Sequence, residues 1–146
     1  MEIVILCCFA FLLNFVVFGQ TDDKSVEGAR ETLIGFYDAL AKADADGMSV
    51  YVSSDYLLIE EGKVWDFEML KKEVQALEGL EFTRINSIEF LEERKPGENV
   101  ILVYNNGADI DLGDQRLVYE WLESAVLVWE SEEWRILLMH VSGRGE

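Results

Sequence analysis

The sequence predicts an α+β fold with its helices first and its sheet after them. Three observations carry this. Apolar residues between Ser25 and Leu77 recur at helical spacing, those between Phe82 and Ser142 alternate as strand residues do, and turn-forming residues punctuate the second half at hairpin intervals. Each element must bury one apolar face against another layer, and helices segregated before antiparallel strands satisfy this as an α+β stack. With 146 residues, 50% of them hydrophobic, and no internal repeat, one domain with its own core is expected.

In "SVEGARETLIGFYDALA", Val26, Ala29, Leu33, Phe36, Tyr37 and Leu40 share one helical face, and Ser25 or Asp23 stands where a helix cap belongs. "ADADGMSVYV" offers Asp46 as the cap of a short second helix that turns Met48, Tyr51 and Val52 inward. "SDYLLIEEGKVWD" reads as two short strands around Glu61 and Gly62. Asp66 caps a third helix, "FEMLKKEVQAL", in which Phe67, Leu70, Val74 and Leu77 share a face and Gly79 supplies the stop. Phe82 to Leu91 is a strand, and "RKPGEN", with the single proline, is a turn. Val100 to Leu112 is a second long strand with a bulge expected at "NNGA", where Gly107 relieves the backbone. Gln115 to Glu130 and Trp134 to Ser142, joined by "ESEE", complete a meander. Long bulged strands imply a strongly curved sheet wrapping the helices.

The N-terminal run from Ile3 to Phe18 is apolar except for Asn14, the length of a signal-peptide core and shorter than the ~20 residues of a membrane span. Val17 and Gly19 suit the −3 and −1 positions of a cleavage site. The expectation is therefore a signal peptide over residues 1–19, a polar leader over 20–24 and a domain over 25–143, secreted or periplasmic through bacterial export. Glu2 and the lack of Lys or Arg before the run are unusual for such a segment, and membrane association is expected only if it stays uncleaved. Cys7 and Cys8 both fall inside it, so the mature domain has no disulfide, Cys nucleophile or thiolate metal site. The net charge of −17 argues against nucleic acid or an anionic membrane surface as partner, and permits a cationic one. One histidine leaves metal binding to carboxylates, and Asp109, Asp111 and Asp114 read as solvated strand-edge acids. No metal or cofactor is expected.

"IGFYDALAKADADGMSVYVSSDYLLIEEGKVWD" and the order helix-helix-hairpin-helix-meander resemble the nuclear transport factor 2-like (SnoaL-like, cystatin-like) superfamily. "ESAVLVWESEEWRILLMHVS" is similar to the ending of the calcium/calmodulin-dependent kinase II association-domain branch and related small bacterial domains, through the spacing of Trp134, His140 and Ser142. The resemblance covers roughly residues 25 to 143. It implies a cone-shaped barrel of three N-terminal helices on a curved antiparallel sheet, a pocket between helices and concave face, and often a dimer formed by sheet surfaces. The superfamily holds ketosteroid isomerases, dehydratases, polyketide cyclases, binding modules and members with no known activity, so fold alone does not settle function.

Resemblance to the isomerase branch puts Tyr37, or its neighbour Phe36, near an oxyanion-donating tyrosine and Glu60 near a proton-shuttling acid. A carboxylate beside "YLLI" is open to a pKa raised by desolvation. The branch's second acid falls close to Ala125, which leaves that oxyanion site incomplete and catalysis unassured. Tyr37 reads first as a packed aromatic with its hydroxyl at the rim. Strand alternation places His140 on one face with Trp134, Ile136, Leu138 and Ser142. His140 and Ser142 lie ~7 Å apart on such a strand, too far to form a nucleophile and base pair. The kinase relatives hold carboxylates with pocket arginines, which nominates Arg84, and Arg116 after it, for a small acid. Trp65 and Trp121, with Tyr119, Trp129 and Trp134, are expected to supply an aromatic interior. The expected pocket set is thus His140, Arg84, Tyr37, Glu60, Trp65 and Trp121.

The leading expectation is an exported homodimeric module that binds a small apolar or acidic molecule. The alternatives are a cofactor-independent isomerase or dehydratase using Glu60 and Tyr37, and a protein-interaction module that recognises partners through its acidic surface.

Overall fold

A computed structural model describes residues 24–143. The expected export segment, its two cysteines and the leader up to residue 23 lie outside the described residues. The elements run α1 (Val26–Ala41), α2 (Ala45–Ser49), β1 (Val52–Glu60), β2 (Lys63–Asp66), α3 (Phe67–Gln75), β3 (Thr83–Arg94), β4 (Val100–Asp111), β5 (Arg116–Glu130) and β6 (Glu133–Gly143).

Local chemistry sets the element ends. Ser25 caps α1 by accepting from the Gly28 N–H at 3.1 Å, and Asp66 caps α3 by accepting from the Met69 N–H at 2.8 Å. The cap of α2 is Asp44 rather than Asp46. The Asp44 carboxylate accepts from the Gly47 N–H at 2.8 Å, while Asp46 reaches across to the Lys71 ammonium of α3 at 2.6 Å. The β1–β2 turn puts Glu61 and Gly62 at φ of 50° and 74°, the paired left-handed geometry that matches the twist of a two-residue hairpin.

Six strands form one curved sheet in the order β2-β1-β6-β5-β4-β3. All neighbours are antiparallel except β1 and β6, which run parallel and join the first strand to the last. The helices pack on the concave side, where Leu33 of α1 and Met48 of α2 join Leu102, Leu127 and Ile136 of the sheet in one core, all fully buried. Each such side chain contributes about 1.5–3 kcal/mol by leaving water. No helix among the described residues is long and apolar enough to cross a membrane.

Bulges decide which side chains reach the concave face, and they fall elsewhere than expected. At "NNGA" the ladders on both sides of β4 are regular. Gly107 is needed there for space, because a Cβ would stand 2.5 Å from Ser87 Oγ on β3. Register shifts fall instead at Leu91, between the Phe90–Tyr104 and Glu92–Val103 pairs, at Leu137, between the Leu127–Ile136 and Val126–Leu138 pairs, and in β1 between Val52 and Leu57 along β6. A one-residue insertion turns every later side chain to the opposite face. Beyond Leu137, Met139 is buried on the concave side and His140 points outward. His140 therefore does not share a face with Trp134 and Ile136.

Candidate functional site

A cavity of about 340 Å³ lies between α1, α3 and the concave sheet. Its wall is apolar, with Phe36 and Leu40 from α1, Leu58 from β1, Leu70 and Val74 from α3, and Met139 from β6. Polar groups come from six elements: Tyr37 on α1, Glu60 and Tyr56 on β1, Glu73 on α3, Arg84 on β3, Asn106 on β4 and Glu123 on β5.

Glu123 is almost wholly buried and anchors the polar side. Its carboxylate accepts a short hydrogen bond from the Tyr37 hydroxyl on one oxygen and a 3.0 Å bond from Asn106 Nδ2 on the other. The Tyr104 hydroxyl lies 3.3 Å from that of Tyr37. Asn106 turns its amide nitrogen to Glu123 and leaves Oδ1 buried with no hydrogen-bond partner among the described residues. Burial, reinforced by Glu123, pushes the phenols of Tyr37 and Tyr104 well above the ordinary range, so both remain protonated. Tyr56 is likewise raised by burial, and the partner of its hydroxyl is the Met139 sulfur at 3.4 Å.

Arg84 and Glu60 face the same space without meeting. Arg84 Nε donates to Asn86 Oδ1 at 2.9 Å, and Asn86 in turn donates to the Tyr37 carbonyl at 3.0 Å, which ties the β3 edge to α1. The guanidinium lies over Trp121 at 6.0 Å and makes no ion pair among the described residues. Burial lowers its affinity for a proton, and Tyr37, Glu123 and Glu60 oppose that shift. The Glu60 carboxyl is half-buried and has no hydrogen-bond or ion-pair partner among the described residues. Burial raises its pKa first, the negative Glu61 and Glu123 raise it further, and Arg84 counteracts in part.

Of the residues nominated from sequence, Tyr37, Glu60, Arg84 and Trp121 line this cavity together. Trp65 and His140 do not. Trp65 packs on the core from β2, its indole N–H buried without a partner among the described residues, and Lys63 lies over its ring at 5.9 Å. His140 is exposed on the convex face, where the bulge at Leu137 puts it. Arg116 is an exposed residue paired with Asp109, and Tyr119 is 43% exposed, stacked on Trp121 rather than enclosed. No cluster of metal-ligating side chains occurs among the described residues.

Ala125 is buried core, and Glu123, two residues earlier on the same strand face, brings a carboxylate into the cavity. Strand alternation through "ESAVL" was the available signal. Nothing local marks Asn106, Tyr104 or Tyr56 as its neighbours.

No protein-family model matches the chain, and no curated protein matches it. Solved structures do. The CaMKII hub homology domain of Chlamydomonas reinhardtii is 12% identical over 83% of this chain and all of its own, with a TM-score of 0.73. A proposed dehydratase of the NTF2-like family from Streptomyces avermitilis is 13% identical over 86% of this chain and 100% of its own, also at 0.73. An NTF2-like protein from Cytophaga hutchinsonii is 12% identical over 82% of this chain and 98% of its own, at 0.68. These likenesses show a nuclear transport factor 2-like fold.

Proposed function

We propose that this nuclear transport factor 2-like cone is a binding module for a small organic acid, held by its carboxylate on Arg84 and by its hydrocarbon body against the apolar wall. The observation that carries the reading is Arg84: a guanidinium inside an apolar-walled cavity, with its terminal nitrogens free of any carboxylate among the described residues. A guanidinium presents two parallel N–H donors that match a carboxylate, and taking it out of water without a partner is costly. Trp121 beneath it and the Asn86 bond through Nε fix its plane.

The test is a thermal-shift panel of acetate, butyrate, hexanoate and benzoate against butyramide and benzamide. Carboxylates are expected to raise Tm and amides are not, with the gain lost in Arg84→Ala. Equal shifts from the amides, or an undiminished shift in Arg84→Ala, refute the reading.

A second reading has one specific observation in its favour. Tyr37 and Glu60 converge on one cavity with a second acid, the arrangement that cofactor-free proton transfer at carbon requires. It ranks lower because the Tyr37 proton is committed to Glu123 rather than presented to an oxyanion. Deuterium exchange α to the carbonyl of a small ketone, lost in Glu60→Gln, would support it; exchange at the solvent rate removes it.

Export and a homodimer belong to the same proposal. The convex sheet face carries Leu57, Val118 and Leu122, each at least 41% exposed, with Val126 in the same stripe, and no element of the described chain covers it. A second copy joining through this face is expected to give twice the chain mass by light scattering, and Leu122→Lys to halve it. A monomeric wild-type protein overturns the dimer, and an intact N-terminus on protein recovered outside the cell overturns cleavage.

A further inference from the structure

The cavity contains more acid than base. Glu60 and Glu123 face it from β1 and β5, Arg84 is its one cation among the described residues, and Glu73 stands at the α3 rim. The two inner carboxylates differ in what satisfies them. Glu123 has a donor on each oxygen, from Tyr37 and Asn106, whereas Glu60 has none among the described residues. An incoming carboxylate on Arg84 would bring a third carboxylate into a low-dielectric space, where like charges repel far more strongly than in water.

Every group that surrounds Glu60 bears on which acid yields. Tyr37 on α1 and Tyr56 on β1 stay protonated through burial. Glu61 in the turn and Glu123 on β5 oppose a charge on Glu60, and Arg84 on β3 favours one. Lys63, its cross-strand partner on β2, is exposed and lies over the Trp65 ring. On β6 the cavity-side residues are Met139 and Val141, while the exposed His140 lies outside the cavity and shares a neighbouring surface pocket with Glu60, Glu61 and Trp121. Loading Arg84 with a ligand anion cancels the one influence that favours ionised Glu60.

We propose that the ligand carboxylate enters together with one proton, taken from solvent by Glu60, which then donates a hydrogen bond to the remaining lone pair of one ligand oxygen. Glu60 is thereby the residue that sets the pH range of binding. The ligand anion and one proton enter, no covalent bond to carbon changes, and both leave on release. This inference rests on the proposed binding function and specifies its protonation.

The experiment is calorimetric titration of the full-length mature chain with benzoate and hexanoate between about pH 5.5 and 8, where both probes are ionised. Each pH is run in two buffers of different ionisation enthalpy. At the alkaline end, affinity is expected to fall about tenfold per pH unit with uptake of close to one proton, as linkage requires for a site loaded with a single proton. Glu60→Gln keeps a hydrogen-bond donor but removes the titration. It is expected to bind with a flat pH profile, no proton uptake, and at the alkaline end more tightly than wild type. Binding that needs Arg84 but is independent of pH, or proton uptake that survives in Glu60→Gln, overturns this inference and leaves the binding function standing. Absence of benzoate and hexanoate binding at every pH, or binding that survives in Arg84→Ala, removes both.

Discussion

Glu123 holds the polar side of the cavity together, and two substitutions separate its charge from its hydrogen bonds. Glu123→Ala removes the acceptor for Asn106 Nδ2 and for the Tyr37 hydroxyl. A buried donor stripped of its partner costs about 1–3 kcal/mol. The two losses are unequal, because Tyr37 keeps the Tyr104 hydroxyl 3.3 Å away whereas Asn106 Nδ2 has no other acceptor among the described residues. Water entering from the adjoining cavity softens both, so a net loss of about 2–3 kcal/mol is expected. Glu123→Gln behaves differently. Its amide oxygen still accepts from Tyr37, and its nitrogen can donate to Asn106 once that amide flips and turns its orphaned Oδ1 toward it. The expected cost is about 1 kcal/mol, the difference between a charged and a neutral acceptor. Urea unfolding followed by tryptophan fluorescence and far-UV dichroism reads both variants. The Glu123 hydrogen-bond network is refuted if Glu123→Ala matches wild type, or if Glu123→Gln is as damaging as Glu123→Ala.

Three further outcomes follow from single observations. Glu60 has a raised pKa, so the folded chain binds more protons than the unfolded one from about the ordinary value of 4.5 upward, and stability falls as pH rises through that window. Glu60→Gln should therefore raise the urea midpoint at neutral pH and lose this advantage on acidification; a constant difference across pH rejects it. Gly107→Ala drives a Cβ against Ser87 Oγ and should cost about 1 kcal/mol, recovered in Gly107→Ala with Ser87→Ala, and a cost that persists in the double variant points to the backbone instead. His140→Ala should leave stability within about 0.5 kcal/mol and benzoate binding unchanged, since the ring is exposed on the convex face; a loss of binding would put it back at the site.

Elements and their ends were legible in the sequence because their causes are local. The α1 stripe from Val26 to Leu40, the Ser25 and Asp66 caps and the Glu61-Gly62 turn depend on spacing and on side chains three or four residues away. Asp44 and Asp46 show where local reading stops: both are acids in the right place for a cap, and only contact with Lys71 on α3 assigns Asp46 elsewhere. Tyr37, Glu60 and Arg84 could be nominated as the residues whose chemistry suits a cavity, but their distances from one another could not.

Sequence alone thus determined an α+β chain, helices first, with an acidic surface and a short set of chemically able side chains. Tertiary structure decided which of them meet. The period of two assigns a face along a strand only until a bulge intervenes, and the extra residue at Leu137 exposes His140 while burying Met139. The same dependence on remote pairing governs the parallel β1–β6 contact and the meeting of Glu123 with Tyr37 across 86 positions of sequence. Side-chain pattern is a local property, whereas register and burial are set by whichever strands and helices the whole chain brings together.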